Sequence, residues 1–497
     1  MAEQAVAGGL LVAGLAGGSG KSVVAVGLAA ALRRRGHLLA VFKKGPDYID
    51  AGWLALAAGR PCYNLDPYLM SASVIRASFA EHLAGAELAV LEGNRGLFDG
   101  VDVEGSCSSA ELARLLAVPV LLVVDCTKTT RTVAAQVLGC RHFDPELAIA
   151  GVVLNRVGGA RHESIVRQAV ERYTGLPVLG AVPRSRRDFF PQRHLGVTPA
   201  VEHGEANRAV LELGEQAEKC LDLERIVVAM GGAADVAGWA VNVNGKLKPA
   251  DQIKPSVTSR RFGPVNDHGV PQVAPAGTVA GSLRIGYLLD VAFQFYYPDN
   301  LEALTAAGAE LVPVNALVAA ALPSDLDALY IGGGFPETSA AALSSNISFR
   351  ESVRRAAAAG LPIYAECGGL IYLGEAIVLD GQEFSLAGVF PVRFGLARKP
   401  QAHGYTVLRV ERENPFYAPG TEIRGHEFRY STVTQAAIDP AGLALVMARG
   451  VGFSEGRDGL TIGNVLALYT HIHALGTPEW APALVARAAA YRAGAAR

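Results

Sequence analysis

Nine residues near the start of the chain, Gly14-Leu15-Ala16-Gly17-Gly18-Ser19-Gly20-Lys21-Ser22, set closely spaced glycines beside an amine and a hydroxyl. Glycines allow successive backbone N–H groups to turn onto phosphate oxygens, and a following helix N-terminus adds a favourable dipole. Lys21 is then placed to reach the terminal phosphates of ATP and Ser22 to coordinate its Mg²⁺, with Gly14, Gly17, Gly18, Ser19 and Gly20 lining the loop. The spacing is longer than usual, because five residues separate Gly14 from Gly20 where four are customary. A glycine-rich strand-to-helix turn without a ligand would leave the Gly-Lys-Ser sequence unexplained.

Magnesium favours a few carboxylates near the phosphates. Asp47, in Phe42-Lys43-Lys44-Gly45-Pro46-Asp47-Tyr48-Ile49-Asp50, and Glu92, closing Val90-Leu91-Glu92-Gly93, both follow apolar runs. They are the candidate metal ligands, with Ser22. Asp50 reads equally well as a solvated turn residue. Lys43 and Lys44 are candidates for a phosphate or a substrate carboxylate, with an exposed basic turn as the alternative. Asn155, at another strand end, is a candidate for an adenine edge.

A second chemistry sits far along the chain. Cys367, in Ile363-Tyr364-Ala365-Glu366-Cys367-Gly368-Gly369-Leu370, stands between an apolar strand and a helix, a turn that exposes a thiol and lets the helix N-terminus favour the thiolate. A lone cysteine is more often an inert packing residue. Two features argue otherwise. His471 and His473 alternate along a late strand, which turns both rings to one face and offers a base. Gly332-Gly333-Gly334-Phe335-Pro336-Glu337 follows another strand, and the Gly333 and Gly334 N–H groups could form an oxyanion hole.

These residues need rigid elements. Apolar runs at Leu10–Leu15, Leu38–Phe42, Leu88–Leu91, Val120–Asp125 and Ala150–Asn155 alternate with helical segments such as Ser22–Arg35 and Thr132–Gly139. That alternation predicts an α/β fold with a parallel sheet covered on both faces. From about 231 to 281 the sequence turns polar and rich in Pro and Gly and reads as a linker. A strand at Leu283–Leu289 and a helix at Asn300–Ala307 open a second α/β domain. The expected domains are therefore 1–230 and 282–497, in keeping with a length of 497 residues. A net charge of −2 gives no footprint for nucleic acid or an anionic membrane, and no run reaches the roughly 20 apolar residues of a membrane span. Six scattered cysteines without a CxxC pair fit a reducing cytoplasm.

Ten phrases, among them FKKGPDYIDAGW, NLDPYL, GLFDG, GVVLNRVG, GGGFPE, AECGGLIYL, GHEFRYS and YTHIH, resemble in order the cobyrinic acid a,c-diamide synthase family over nearly the whole chain. The resemblance implies an N-terminal P-loop domain similar to dethiobiotin synthetase and a C-terminal class I glutamine amidotransferase domain. It also implies ATP, Mg²⁺ and L-glutamine, with Ser22, Asp47 and Glu92 on the metal, Asn155 at adenine, Cys367 as glutaminase nucleophile and His471 as its activator. His473 falls where other class I enzymes carry the orienting acid. The implied reaction phosphorylates peripheral acetates (a and c) of a tetrapyrrole and replaces each phosphate with ammonia. Where such proteins usually carry Val-Met, this chain has Asn94-Arg95, and the second lysine of Lys43-Lys44 is also unusual, so Asn94 and Arg95 join the substrate candidates. Siroheme or Ni-sirohydrochlorin is the alternative substrate, and a P-loop switch with a degenerate amidotransferase domain the alternative of another class. The oligomeric state is left open, with a homodimer as one option.

Overall fold

The computed structural model describes residues 8–185, 189–190, 192–193, 196–231 and 281–495. The chain divides into two compact units, Met1–Gln272 and Val273–Arg497. The expected linker lies, apart from its two end residues, outside the described residues.

The first unit is built on seven strands, β1 (Gly8–Gly14), β2 (Leu39–Lys44), β3 (Cys62–Leu65), β4 (Leu88–Glu92), β5 (Val120–Asp125), β6 (Ile149–Val157) and β7 (Val178–Pro183), in the order β3-β2-β4-β1-β5-β6-β7. All pair in parallel. Buried on both faces, β1 is apolar throughout, as a central parallel strand must be. Six residues separate the end of β1 from helix α1 (Lys21–Arg34). Helix Ala206–Cys220 lies close against α1 because Gly27 and Gly214 carry no side chain: a Cβ on Gly27 would stand 2.9 Å from the Leu213 carbonyl oxygen. Trp53, in helix α2 (Ile49–Ala58), donates its indole N–H to the Thr198 carbonyl at 3.0 Å and packs edge-on against Phe190. The predicted strands and helices are present with ends displaced by a residue or two, except that the helix expected over Thr132–Gly139 runs on to Phe143.

In the second unit a six-stranded sheet runs in the order Ala309–Val314, Leu283–Leu288, Ala328–Ile331, Ile363–Glu366, Val465–Leu468, Leu460–Ile462, the last strand antiparallel. A mixed four-stranded sheet and an antiparallel five-stranded sheet, both from residues 376–472, accompany it. The pairing that matters for chemistry links the central sheet to the five-stranded one. Strand Val465–Leu468 pairs with Ile363–Glu366 so that Leu468 faces Glu366, and the chain then crosses to pair His471 with His426 on strand Glu422–Arg429. His471 is thereby delivered beside the turn after Glu366.

Candidate active sites

In the first unit the loop after β1 is closed by its own side chains. Ser19 Oγ donates to the Ala16 carbonyl at 2.8 Å and accepts from the Ala16 N–H at 3.1 Å. Lys21 Nζ donates to the same carbonyl at 3.1 Å. Burial holds the Lys21 ammonium below its usual range, partly opposed by Glu92. Gly18 and Gly20 have φ of 74° and 91°, conformations that glycine adopts without strain. Gly20 also admits a neighbour: a Cβ there would lie 2.0 Å from Asn155 Nδ2. Asn155 Nδ2 donates to the Ser19 carbonyl at 2.8 Å, while its Oδ1 accepts from the Arg156 N–H at 2.9 Å. The structure thus ties Asn155 to the loop itself.

Ser22 Oγ donates to Glu92 Oε1 at 2.7 Å, and Lys43 Nζ stands 3.1 Å from the same oxygen and 2.7 Å from Asp50 Oδ2. Burial raises the Glu92 carboxyl to about 7 despite Lys43. Burial would depress Lys43, but Asp50, Glu92 and Asp47 outweigh it and hold the ammonium well above its usual range. Glu92 Oε2 is buried and, among the described residues, has no hydrogen-bond partner. Beside the Ser22 hydroxyl, that orphan oxygen suits an oxygen-seeking divalent cation. No three His, Cys, Asp or Glu side chains among the described residues form a cage of their own, so such a cation would need phosphate oxygens and water as further ligands. Asp47 is turned elsewhere: its Oδ1 accepts from the Ile49 and Asp50 N–H groups, both at 2.9 Å, capping α2. Asp50, read as an ambivalent turn residue, is the acid that α2 brings to Lys43.

The substrate candidates separate. Lys43 is enclosed by the acids and the Gly93 carbonyl. Lys44 is buried, lies near enough to Asp66 and Arg95 to feel both charges, and makes no hydrogen bond or ion pair among the described residues. Burial lowers its affinity for a proton. Asn94 Oδ1 accepts from the Arg95 N–H at 2.9 Å, and Arg95 sits at φ 50° with its side chain exposed. The acids that could pair with Arg95 bind backbone instead: Asp99 accepts from Gly96 N–H and Asp102 from Ser106 N–H.

In the second unit Cys367 adopts φ 46°, ψ −97°, a strained conformation for a residue with a side chain and one that recurs where a nucleophile is held on a sharp strand-to-helix turn. Its N–H donates to the Leu468 carbonyl at 2.8 Å, and its carbonyl accepts from Ile371 N–H at 3.0 Å. The His471 ring hydrogen-bonds the Cys367 sulfur. Burial alone would push the imidazole down, but Cys367 and Glu366 outweigh it and raise it to about 10. An imidazolium so stabilised is the partner a thiolate needs. His426 stacks on His471 at 4.9 Å. Gly333 lies against the ring: a Cβ there would be 2.3 Å from His471 Cε1. A Cβ on Gly368 would stand 3.0 Å from the Gly334 nitrogen, so the glycine loop and the start of the helix behind Cys367 adjoin. His473 is turned to other partners, with Nε2 3.4 Å from Asp299 Oδ2 and its ring 4.5 Å from that of Tyr297. The residue that meets His471 is Glu366, whose Oε2 lies 3.4 Å from Nδ1. Sequence reading passed over it because it directly precedes the nucleophile in a strand.

Residues 10–196 match a family described as a CobQ/CobB/MinD/ParA nucleotide-binding domain, and residues 284–479 a CobB/CobQ-like glutamine amidotransferase domain. A cobyrinate a,c-diamide synthase of Magnetococcus marinus is 42% identical over 467 residues, covering 94% of each chain. Proteins of the same name from Dehalococcoides mccartyi and Methanosarcina acetivorans are 38% and 36% identical, covering 95% and 96% of this chain and 96% and 95% of their own. With a nucleotide-binding unit, a glutamine amidotransferase unit and relatives matched nearly end to end, the chain belongs to the cobyrinate a,c-diamide synthase family.

Proposed function

We propose that the chain amidates the a and c acetate side chains of cobyrinate, drawing energy from ATP and nitrogen from glutamine. The observation that carries the nitrogen-donating half is the contact of His471 with the Cys367 sulfur on a strained turn beside Gly333 and Gly334. The Cys367 thiolate attacks the carboxamide carbon of glutamine, and backbone N–H groups at Gly333, Gly334 and Gly368 receive the oxyanion. The His471 imidazolium then gives its proton to the departing nitrogen, releasing ammonia and leaving a thioester that water cleaves to glutamate.

In the first unit, N–H groups of Gly14–Ser22 hold the ATP phosphates and Lys21 draws the terminal one toward the acceptor carboxylate. Carboxylate oxygen attacks the γ-phosphorus and ADP leaves. Ammonia then attacks the acyl carbon and phosphate departs. Mg²⁺, held by Ser22 and Glu92 with Asp47 or Asp50 nearby, would neutralise charge on the transferring phosphoryl group. Asn155 is proposed to act by fixing the loop beneath the nucleotide. Lys44, which makes no ion pair among the described residues, and Arg95, whose nearby acids bind backbone, are proposed to receive non-reacting carboxylates of the tetrapyrrole, since an exposed guanidinium suits paired hydrogen bonds to such groups. Asn94 orients the Arg95 backbone. His473 is kept as a buried neighbour of the thiol site. No helix among the described residues is long and apolar enough to cross a membrane. A cytoplasmic enzyme is proposed, with a homodimer as the assembly to test by light scattering.

Incubation with ATP, Mg²⁺, glutamine and cobyrinate, read by mass spectrometry, should show two successive carboxyl-to-carboxamide conversions. Cys367→Ala should abolish them with glutamine and retain them with high ammonium. Conversion of siroheme or Ni-sirohydrochlorin in preference to cobyrinate would overturn the substrate, and loss of both nitrogen sources in folded Cys367→Ala would overturn the division of labour.

A further inference from the structure

The carboxylate of Glu366 is fully buried, and an isolated carboxylate in such a place is strongly disfavoured unless it is paired and hydrogen-bonded. Its partners come from two strands. Tyr330 O–H, on the neighbouring strand of the central sheet, donates to Oε2 at 3.2 Å, and is itself held by Asn300 Nδ2 at 3.4 Å. Ile472 N–H, on the strand that carries His471, donates to Oε1 at 3.3 Å. His471 Nδ1 lies 3.4 Å from Oε2. That distance is longer than a good hydrogen bond, as is common in a resting site that tightens when the base becomes charged. Among the described residues, His471 is the only basic group within ion-pair reach of this carboxylate.

We propose that Glu366 is the positioning carboxylate of the thiol site, holding His471 with Nδ1 toward itself and Nε2 toward the Cys367 sulfur. The position His473 would otherwise fill is then supplied from the residue before the nucleophile. Its carboxylate and the two N–H and O–H donors are fixed by strand register, so the imidazole has one orientation and its protonated form a permanent counter-charge. This inference rests on Cys367 and His471 being the glutaminase pair.

Its test is Glu366→Gln in the full-length enzyme, read as the pH profile of glutaminase kcat/KM. An amide cannot stabilise the imidazolium. The alkaline limb, where His471 loses its proton, should therefore move to lower pH by about one unit, and kcat should fall about 100-fold with KM for glutamine little changed. Ammonium-dependent amidation should stay near wild type. Glu366→Asp, which retains the charge on a shorter arm, should lie between wild type and the glutamine variant in both limb and rate. A limb that stays in place while the rate falls would make Glu366 a structural staple and overturn the proposal, as would an unchanged rate. Should the glutamine variant fail to fold, the aspartate variant is decisive by itself: a lost rate with an unmoved limb overturns the proposal. Cys367→Ala separates this from the underlying reading: glutaminase activity surviving in that variant refutes the pair itself, whereas its loss there together with an unmoved limb in Glu366→Gln refutes only the role of Glu366.

Discussion

Replacing Gly333 by alanine tests whether the glycine loop is fitted to the catalytic imidazole. The new methyl would start 2.3 Å from His471 Cε1, against a relaxed carbon–carbon contact of about 3.5 Å, so ring and loop must part by about 1 Å. The ring has little room to yield. It is buried, stacked on His426 at 4.9 Å, and bounded by Cys367 and Glu366. Overpacking of this kind destabilises by about 1–3 kcal/mol if the loop holds, and a base displaced by about 1 Å loses about 100-fold in rate. Glutamine-dependent amidation should fall by that factor, ammonium-dependent amidation should be unaffected, and the melting temperature should drop by a few degrees. The comparison of nitrogen sources is made in one assay with the same tetrapyrrole, so the synthetase unit serves as internal control. Glutamine-dependent turnover within a factor of two of wild type would refute the fit between loop and imidazole.

Lys21→Ala should remove amidation from either nitrogen source by at least about 100-fold while basal glutaminase stays measurable, and near-wild-type amidation would take Lys21 out of the mechanism. Glu92→Gln should trade activity for stability. The folded carboxyl titrates at about 7, above its ordinary 4.5, so the folded state loses stability as pH rises between those values and does not regain it above. The variant without nucleotide should therefore melt a few degrees above wild type at pH 8, on the order of 1 kcal/mol, and the advantage should disappear below pH 4.5, as a pH series of melting curves would show. Arg95→Met should raise KM for the tetrapyrrole about tenfold with KM for ATP unchanged, and identical kinetics across cobyrinate, siroheme and Ni-sirohydrochlorin would return Arg95 to a purely structural place.

What could be read from the sequence was what the backbone needs locally. Gly18 and Gly20 declare their conformations, Lys21 and Ser22 open the helix that follows, and Cys367 announces its turn through the glycines behind it. What could not be read depends on which neighbour a side chain meets across the sheet. Asp47 and Asp50 are three residues apart, and only the position at which α2 begins decides that the first caps the helix while the second reaches Lys43. Asn155 looked outward from a strand end until Gly20, lacking a side chain, let its amide reach the loop. The strands between 376 and 462 gave little signal, most being short and partly exposed.

The same physics explains why the charged residues of both sites are so deeply buried. Lys43 between Asp50 and Glu92, and His471 between Cys367 and Glu366, are each taken out of water and compensated by neighbours fixed in place by sheet register. In water, hydration would stabilise these charges without specifying any arrangement. Inside the fold their mutual attraction is larger, and removing a counter-charge weakens the hold of Lys43 or His471 on its proton. Each cluster therefore depends on the strands that carry it. The orphan Glu92 Oε2 fits the proposed binding of a cation with the nucleotide, and the register through Leu468 holds the strained turn at Cys367 closed. Substitutions that loosen these strands without touching a charged group should therefore reduce turnover before they unfold the protein.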